Sequence, residues 1–443
     1  MLTPLEFNYL LFLFTESYFM HKIVHPVLRP VALAGIVSLL ALSAALTPHP
    51  KPDTPKIAEG IKVPSGFTTT IVSEELGGAR HLVVSKKGDV LVKLSRLKDG
   101  KGIYRLRDTD GDGIHDETTG FADYKGTGIF IKNGYLYASS NSAIYRYKLN
   151  KKEEIINPDQ PELIVSGMVD TGRDNSKSIA LDDKGYIYVN IGSSNDACRE
   201  PGTGKGITPC TLLDTVGGIW RFRADVKNQT QKDGLRYATG LKNTVGLDWN
   251  KQTKSLFVMH HGRGQFHDYY SNYFTPQQSA MLPAETMYEV HEGDDAGWPY
   301  VYYDHFQNKK MLNPEYGGDG KKTGGEKALD PVAAFPAHFG PNGLLFYTGK
   351  MFPARYRNGA FIAFHGQNSE LKKGYFVAFV PFENGKPSGP YEVFADNFAG
   401  IDLAQPTGPV EHRPCGLAQG PDGSLYVSDD LNGTVYRITY RKQ

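Results

Sequence analysis

Residues 416–440 read GLAQGPDGSLYVSDDLNGTVYRITY. An apolar run meets Asp422-Gly423, an alternating run follows, Asn432-Gly433 makes a second turn, and a third alternating run ends the stretch. Asp-Gly and Asn-Gly supply the positive φ values of tight hairpins, and period-2 residues such as Leu425, Tyr426 and Val427 flank them. The stretch therefore predicts a three-stranded antiparallel meander.

The same grammar recurs upstream. It appears at 81–94 with 102–108, at 129–140 with 143–150, and at 179–191 with 217–225. Weaker copies lie at 246–261 with 285–292 and at 344–365 with 374–382. The early turn glycines Gly88, Gly134 and Gly185 recur at about 40–50 residues, the length of a propeller blade. Six copies predict an all-β, six-bladed propeller of four-stranded antiparallel blades. An N-terminal strand near 67–73 closes the ring by pairing with the last blade, so that no edge is left open. The later copies are spaced more widely, which places long loops on a rigid scaffold, where binding and chemistry concentrate.

The 443-residue chain has a net charge of +1, with 49 glycines, 26 tyrosines and 23 phenylalanines. That balance gives no electrostatic footprint for nucleic acid or an anionic membrane and suits a neutral small molecule. From Met20 the sequence runs through basic residues into the apolar run 31–46 and then into small residues. This predicts a secretory signal peptide over 1–46, with 1–19 an upstream extension; an uncleaved anchor is the alternative. Residues 47–58 read as a linker and 59–443 as the propeller, exported to a periplasmic or extracellular location with no stable span after cleavage. Cys198 and Cys210 bracket one Gly/Pro/Thr-rich loop. A bridge there, as against two free thiols, would add roughly 3 kcal/mol on the chain-entropy account. Cys415 reads as a small buried hydrophobe. There is no Cys-x-x-Cys-His motif for covalent haem.

Residues 108–117, DTDGDGIHDE, place Asp108, Asp110, Asp112 and Asp116 at the first, third, fifth and ninth places of a calcium loop, with Gly113 at the turn. The twelfth place is Thr119. The motif predicts an incomplete, structural calcium site, with a solvated acidic turn as the alternative.

A second cluster spans 240–250, 259–268 and 282–300. Its Gly-Leu-Lys-Asn run, the strand at Glu285, the GDDAGWP turn and the terminal RPCGLAQGPDG resemble the glucose/sorbosone dehydrogenase family over roughly residues 60–440. Those proteins are exported six-bladed propellers that bind pyrroloquinoline quinone (PQQ) with calcium and oxidise sugars. The resemblance implies that Lys242, Asn243, His365 and Arg413 contact the cofactor. It implies that Gly262 and Arg263 offer backbone carbonyls to calcium and that Glu285 is a further calcium ligand. Asp174 falls at the place of the family's catalytic histidine base, and Lys242 where an arginine is usual. A carboxylate can serve as that base if its surroundings raise its pKa. Two alternatives stand beside this reading: a calcium-dependent lactonase-type propeller hydrolase, and a non-catalytic propeller that binds a glycan or protein.

Overall fold

In a computed structural model, which describes residues 54–442 apart from Gln265, six antiparallel sheets surround a common axis. The first blade runs outward as Ala79–Val84, Val90–Lys98, Lys101–Arg107 and Glu117–Phe121. The second is Ile129–Lys132, Tyr135–Ser139, Ile144–Lys148 and Glu162–Ser166. The third comprises Ile179–Leu181, Tyr186–Ile191, Gly218–Arg223 and Leu235–Thr239, and the fourth Thr244–Asn250, Ser255–His260, Glu285–Val290 and Ala333–Phe335. The fifth is Pro341–Phe346, Gly359–Asn368, Lys373–Glu383 and Glu392–Ala395.

In the sixth blade, Pro414–Gln419, Leu425–Asp429 and Val435–Tyr440 come from the end of the chain, and Phe67–Ser73 from its beginning supplies the outer strand. Phe67 pairs with Tyr440 and Ile71 with Tyr436, so the ring closes through the strand expected from the sequence. The ordering begins before residue 59, within the expected linker. Ile57 bridges Thr70, and Ala58 is buried against an aromatic core containing Phe352, Tyr356 and Phe394. Apolar burial and two strand-like contacts tie down this segment where Pro/Lys composition alone suggested none. The expected signal peptide and its extension lie outside the described residues. Among the described residues no helix is long and apolar enough to cross a membrane.

Blade faces stack through alternating apolar residues and aromatic pairs, such as Tyr188 against Trp249 between the third and fourth blades, with centroids 5.7 Å apart. Near the axis the inner strands approach too closely for side chains. A Cβ on Gly343 would lie 2.5 Å from the Cys415 carbonyl oxygen, and one on Gly416 would lie 2.5 Å from that of Arg80. Glycine at these points lets the fifth, sixth and first blades meet.

Two lysines are enclosed between blades. Lys93 is fully buried and donates to the carbonyl oxygens of Gly102 (3.2 Å) and Tyr124. Burial lowers its pKa from the ordinary 10.5 to about 7. Lys177, also fully buried, is lowered to about 8 for the same reason. Between these values and 10.5 the unfolded chain binds more protons than the folded one. The penalty of burying a charge is therefore fully present below the folded pKa and is relieved as pH rises. Stability should increase from about pH 7 to about pH 9, by up to ~1.4 kcal/mol per pH unit for each lysine. Denaturant midpoints measured across that range should climb, and less steeply in Lys93→Met. An identical slope in the variant would contradict the assignment.

Candidate active site at the mouth of the axis

The inner strands all start at one end of the axis, and the residues just before or at those starts crowd that mouth. Arg80, Lys177, Lys242 and Arg413 occupy this place in the first, third, fourth and sixth blades. The second strands run back toward the same end and deliver Asn190, His260, His365 and Asp429 there.

Around Asp430 three blades converge. Arg80 Nη1 donates to its Oδ2 at 2.8 Å, Arg413 Nη2 lies 2.9 Å from Oδ1, and His365 Nδ1 lies 3.4 Å from Oδ2. The Arg413 contact is a charge contact without hydrogen-bond alignment, since Oδ1 has no hydrogen-bond partner. Burial would raise the Asp430 carboxyl, but His365, Arg80 and Arg413 hold it well below the usual carboxylate range. Burial lowers the His365 imidazole. Neighbouring Asp429 accepts the Arg413 backbone N–H at 2.8 Å and faces His412 Nδ1 at 2.8 Å, which fixes the loop that carries Arg413.

Across the mouth, Lys242 is buried and bridges two carboxylates, Asp174 Oδ2 at 3.0 Å and Asp196 Oδ1 at 3.1 Å. Asn243 Nδ2 donates to Asp174 Oδ1 at 3.4 Å, and Arg173 Nε stands 3.9 Å from Oδ2. Although Asp196 is largely buried, Lys242 and then Arg173 keep its carboxyl below the ordinary value. Asp174 adopts φ 50° in its loop and keeps 20% of its side chain exposed to the mouth. Gly192 makes room for it: a Cβ there would lie 2.4 Å from the Asp174 carbonyl oxygen and 2.7 Å from Asn243 Oδ1.

The two lobes are joined. On one side Arg80 Nη2 donates to Ser176 Oγ at 3.0 Å. On the other, the His261 backbone N–H donates to the Asn243 carbonyl, its Nε2 lies 3.2 Å from the Pro341 carbonyl oxygen, and the adjacent Gly340 packs on His365.

Below His261, Glu285 is buried and accepts from the backbone N–H groups of Gly262 at 2.9 Å and Gly340 at 3.4 Å. Burial pushes its carboxyl up to about 7. Arg263 points away from the mouth: its guanidinium pairs with buried Glu315 and lies over the Phe266 ring. A cavity of about 510 Å3 lies on the axis behind the charged mouth, lined by inner-strand residues including Leu82, Ile131, Leu181, Asp248 and Leu344.

Of the residues expected from sequence, Asp174, Lys242 and Asn243 are thus in mutual contact, His365 and Arg413 meet at Asp430, and Gly262 meets Glu285. The acidic motif is elsewhere, in the exposed connection between the third and fourth strands of the first blade. Asp108, Asp110 and Asp116 bring their carboxylates within 4.8 Å of one another. Asp112 stands apart from that trio and accepts the Ile114 N–H at 2.7 Å. The Cys198–Cys210 bridge forms, and Cys415 is buried, its thiol pushed up to about 12 by burial.

Arg80, Asp430 and Asp196 were not singled out from sequence. Arg80 carried a usable signal, since it stands at the start of an inner strand as Lys242 and Arg413 do. Asp196 joins the mouth only through the fold of its disulfide-clamped loop.

The donor set can be tested against PQQ, a tricarboxylate. Arg80 Nε and Arg413 Nε are buried and have no hydrogen-bond partner in the protein. Buried donors left unpaired are costly, so they fit an added anionic acceptor. Glu285, a buried carboxylate beside the Gly262 backbone, is an oxygen ligand of the kind calcium takes.

Fold and mouth together define the class: a six-bladed propeller whose axis opens through a ring of cationic side chains. The chain belongs to the TrAA12-like family, which matches residues 61–302 and 304–441. A PQQ-dependent sugar dehydrogenase of Hypocrea jecorina is 22% identical over 409 residues, covering 84% of this chain and 87% of that protein. An uncharacterized protein of Borreliella burgdorferi is 25% identical over 405 residues, covering 87% and 93%. Among solved structures, the holo PQQ domain of pyranose dehydrogenase from Coprinopsis cinerea aligns with a TM-score of 0.68 at 19% identity, over 88% of this chain and 99% of that one. The calcium structure of a Trichoderma reesei family AA12 enzyme aligns with a TM-score of 0.69 at 18% identity, over 88% and 98%. At these identities the structural likeness speaks for the fold.

Proposed function

We propose that the protein is an exported, PQQ-dependent oxidoreductase that oxidises a sugar or aldose-like substrate, with calcium at the cofactor site and a separate electron acceptor. The observation that carries the reading is the set of cations Arg80, Lys242 and Arg413, the two arginines each with an unpaired buried Nε, beside His365 at the mouth of a propeller of this family. A lactonase-type axis would be lined by carboxylates and asparagine without such cations, so the ring favours the quinone reading.

Arg80 and Arg413 would hold carboxylates of the cofactor from the sixth-blade side, and Lys242 and Asn243 from the fourth. The backbone carbonyls of Gly262 and Arg263, with the Glu285 carboxylate, would hold calcium. When bound, PQQ would supply an acceptor for the hydride of the substrate C–H bond, and calcium a Lewis acid for the receiving carbonyl. Asp174, the more exposed of the two carboxylates held by Lys242 and the one also bonded by Asn243, would take the proton of the substrate hydroxyl. Asp430 keeps Arg80, Arg413 and His365 in place. The exposed trio Asp108, Asp110 and Asp116 is proposed as a separate structural calcium site that includes Asp112 through rearrangement of its loop.

Loaded with PQQ and calcium, the purified protein should oxidise at least one member of an aldose panel with an artificial electron acceptor, and neither cofactor alone should suffice. Quinone binding without oxidation of any member would leave the non-catalytic reading in its place.

A further inference from the structure

Beside the mouth, an insertion in the fourth blade carries two short helices, α1 (Phe266–Tyr270) and α2 (Pro276–Met281). Phe266, Phe274 and Leu282 bury themselves against Tyr302 and Met311, so the insertion is a packed unit with its own small core. Two of its aromatic rings are left out of that core: Tyr269 is 49% exposed and Tyr273 50%. The Phe274 N–H donates to the Tyr270 carbonyl, which continues helical geometry past α1. Tyr269 and Tyr273 are four residues apart on that turn and therefore share a face.

Tyr269 is held in place. The Arg199 guanidinium stacks on its ring at 3.8 Å, Arg199 also faces buried Glu315 at 3.8 Å, and it adjoins Cys198 of the disulfide. Tyr270 next to it is anchored through its hydroxyl to the Gly204 carbonyl of the same clamped loop. One face of the Tyr269 ring is thus occupied by a cation that draws on its π electrons, and the rest is presented to solvent. The platform stands at the mouth end of the ring: the insertion leaves the second strand of the fourth blade at His260 and rejoins the blade at Glu285, and Asp196, three residues before Arg199, contacts Lys242.

An exposed tyrosine pair on a rigid support stacks on the apolar face of a pyranose ring while its hydroxyls bond to the sugar's edge. One helical turn, about 5.4 Å, is of the order of one sugar unit along a chain. The near-neutral charge of the protein favours a neutral occupant over a strongly charged polymer. From this juxtaposition we propose that Tyr269 and Tyr273 form a glycan subsite at the rim, which binds the outer units of a neutral oligosaccharide whose end unit lies at the mouth. The inference rests on the sugar-oxidising reading for its orientation, but its binding test does not need the cofactor.

The test is affinity measured by calorimetry, without PQQ, for maltohexaose, cellohexaose, xylohexaose and glucose, using wild type, Tyr269→Ala, Tyr273→Ala and Tyr269→Trp. Wild type should bind at least one hexasaccharide more tightly than glucose. Each alanine variant should lose about tenfold or more for that oligosaccharide and nothing for glucose, and Tyr269→Trp should retain binding. Both rings are half exposed, so unchanged circular dichroism and melting should accompany the loss. Absence of hexasaccharide binding by wild type, or equal binding by the alanine variants, would overturn the subsite whatever the cofactor result. If the subsite binds but PQQ does not, it is the oxidoreductase reading that fails.

Discussion

Replacing Asp174 by Asn should lower turnover of the PQQ-loaded protein by about 10²–10⁴-fold, the usual worth of a positioned general base. Affinity for the cofactor should stay within a few-fold of wild type. The substitution keeps the shape and the hydrogen bond that Lys242 can donate to the side-chain oxygen, and removes only the capacity to take a proton. Asp174 is suited to the role by place and access: its carboxylate is fixed by Lys242 at 3.0 Å and by Asn243 at 3.4 Å, and it opens toward the mouth. Steady-state kinetics with an artificial acceptor decide the matter. Wild-type turnover in Asp174→Asn would assign the proton to another group.

Lys242→Ala should act in the opposite order, on the cofactor first. Lys242 is 5% exposed and is the cation between Asp174 and Asp196, which are 20% and 12% exposed. Removing it leaves two carboxylates without the lysine that bridges them, and breaking a buried pair in this way costs about 3–5 kcal/mol. Truncating one partner of a buried charged contact to a ligand costs 2–5 kcal/mol, so PQQ affinity should drop by about 30-fold or more. Lys242→Arg should recover part of the affinity, because a guanidinium keeps the charge and offers a fork to carboxylates. Thermal unfolding with and without PQQ separates the two losses. A variant with full cofactor affinity would remove Lys242 from the binding set.

The architecture was legible because hairpin chemistry is local. Asp422-Gly423 and Asn432-Gly433 announce their turns without reference to the rest of the chain, and the closing strand at Phe67–Ser73 was legible because a ring of blades needs one. The outer strands were harder to see. Glu117–Phe121, for example, is mostly exposed and polar, with an exposure pattern that carries no inward-facing stripe. Its pairing is decided by the neighbouring strand Lys101–Arg107 and not by its own composition. In the site, Lys242, Asn243 and Arg413 were legible through the family motifs that carry them, the Gly-Leu-Lys-Asn run and RPCGLAQGPDG. Asp430 and Asp196 could not, because their significance lies in which cations the fold brings to them from other blades. Arg263 shows the opposite limit: its backbone lies beside Gly262 as the motif implies, while its side chain serves the Glu315 contact behind the mouth.

Titration of PQQ into the purified protein at fixed calcium, followed by the quinone absorbance, tests the central claim most directly. The account predicts saturable, stoichiometric binding by wild type that is weakened in Lys242→Ala and abolished when Arg80 and Arg413 are both changed to Ala. No change in the quinone spectrum on mixing, or binding indifferent to all three cations, would contradict it.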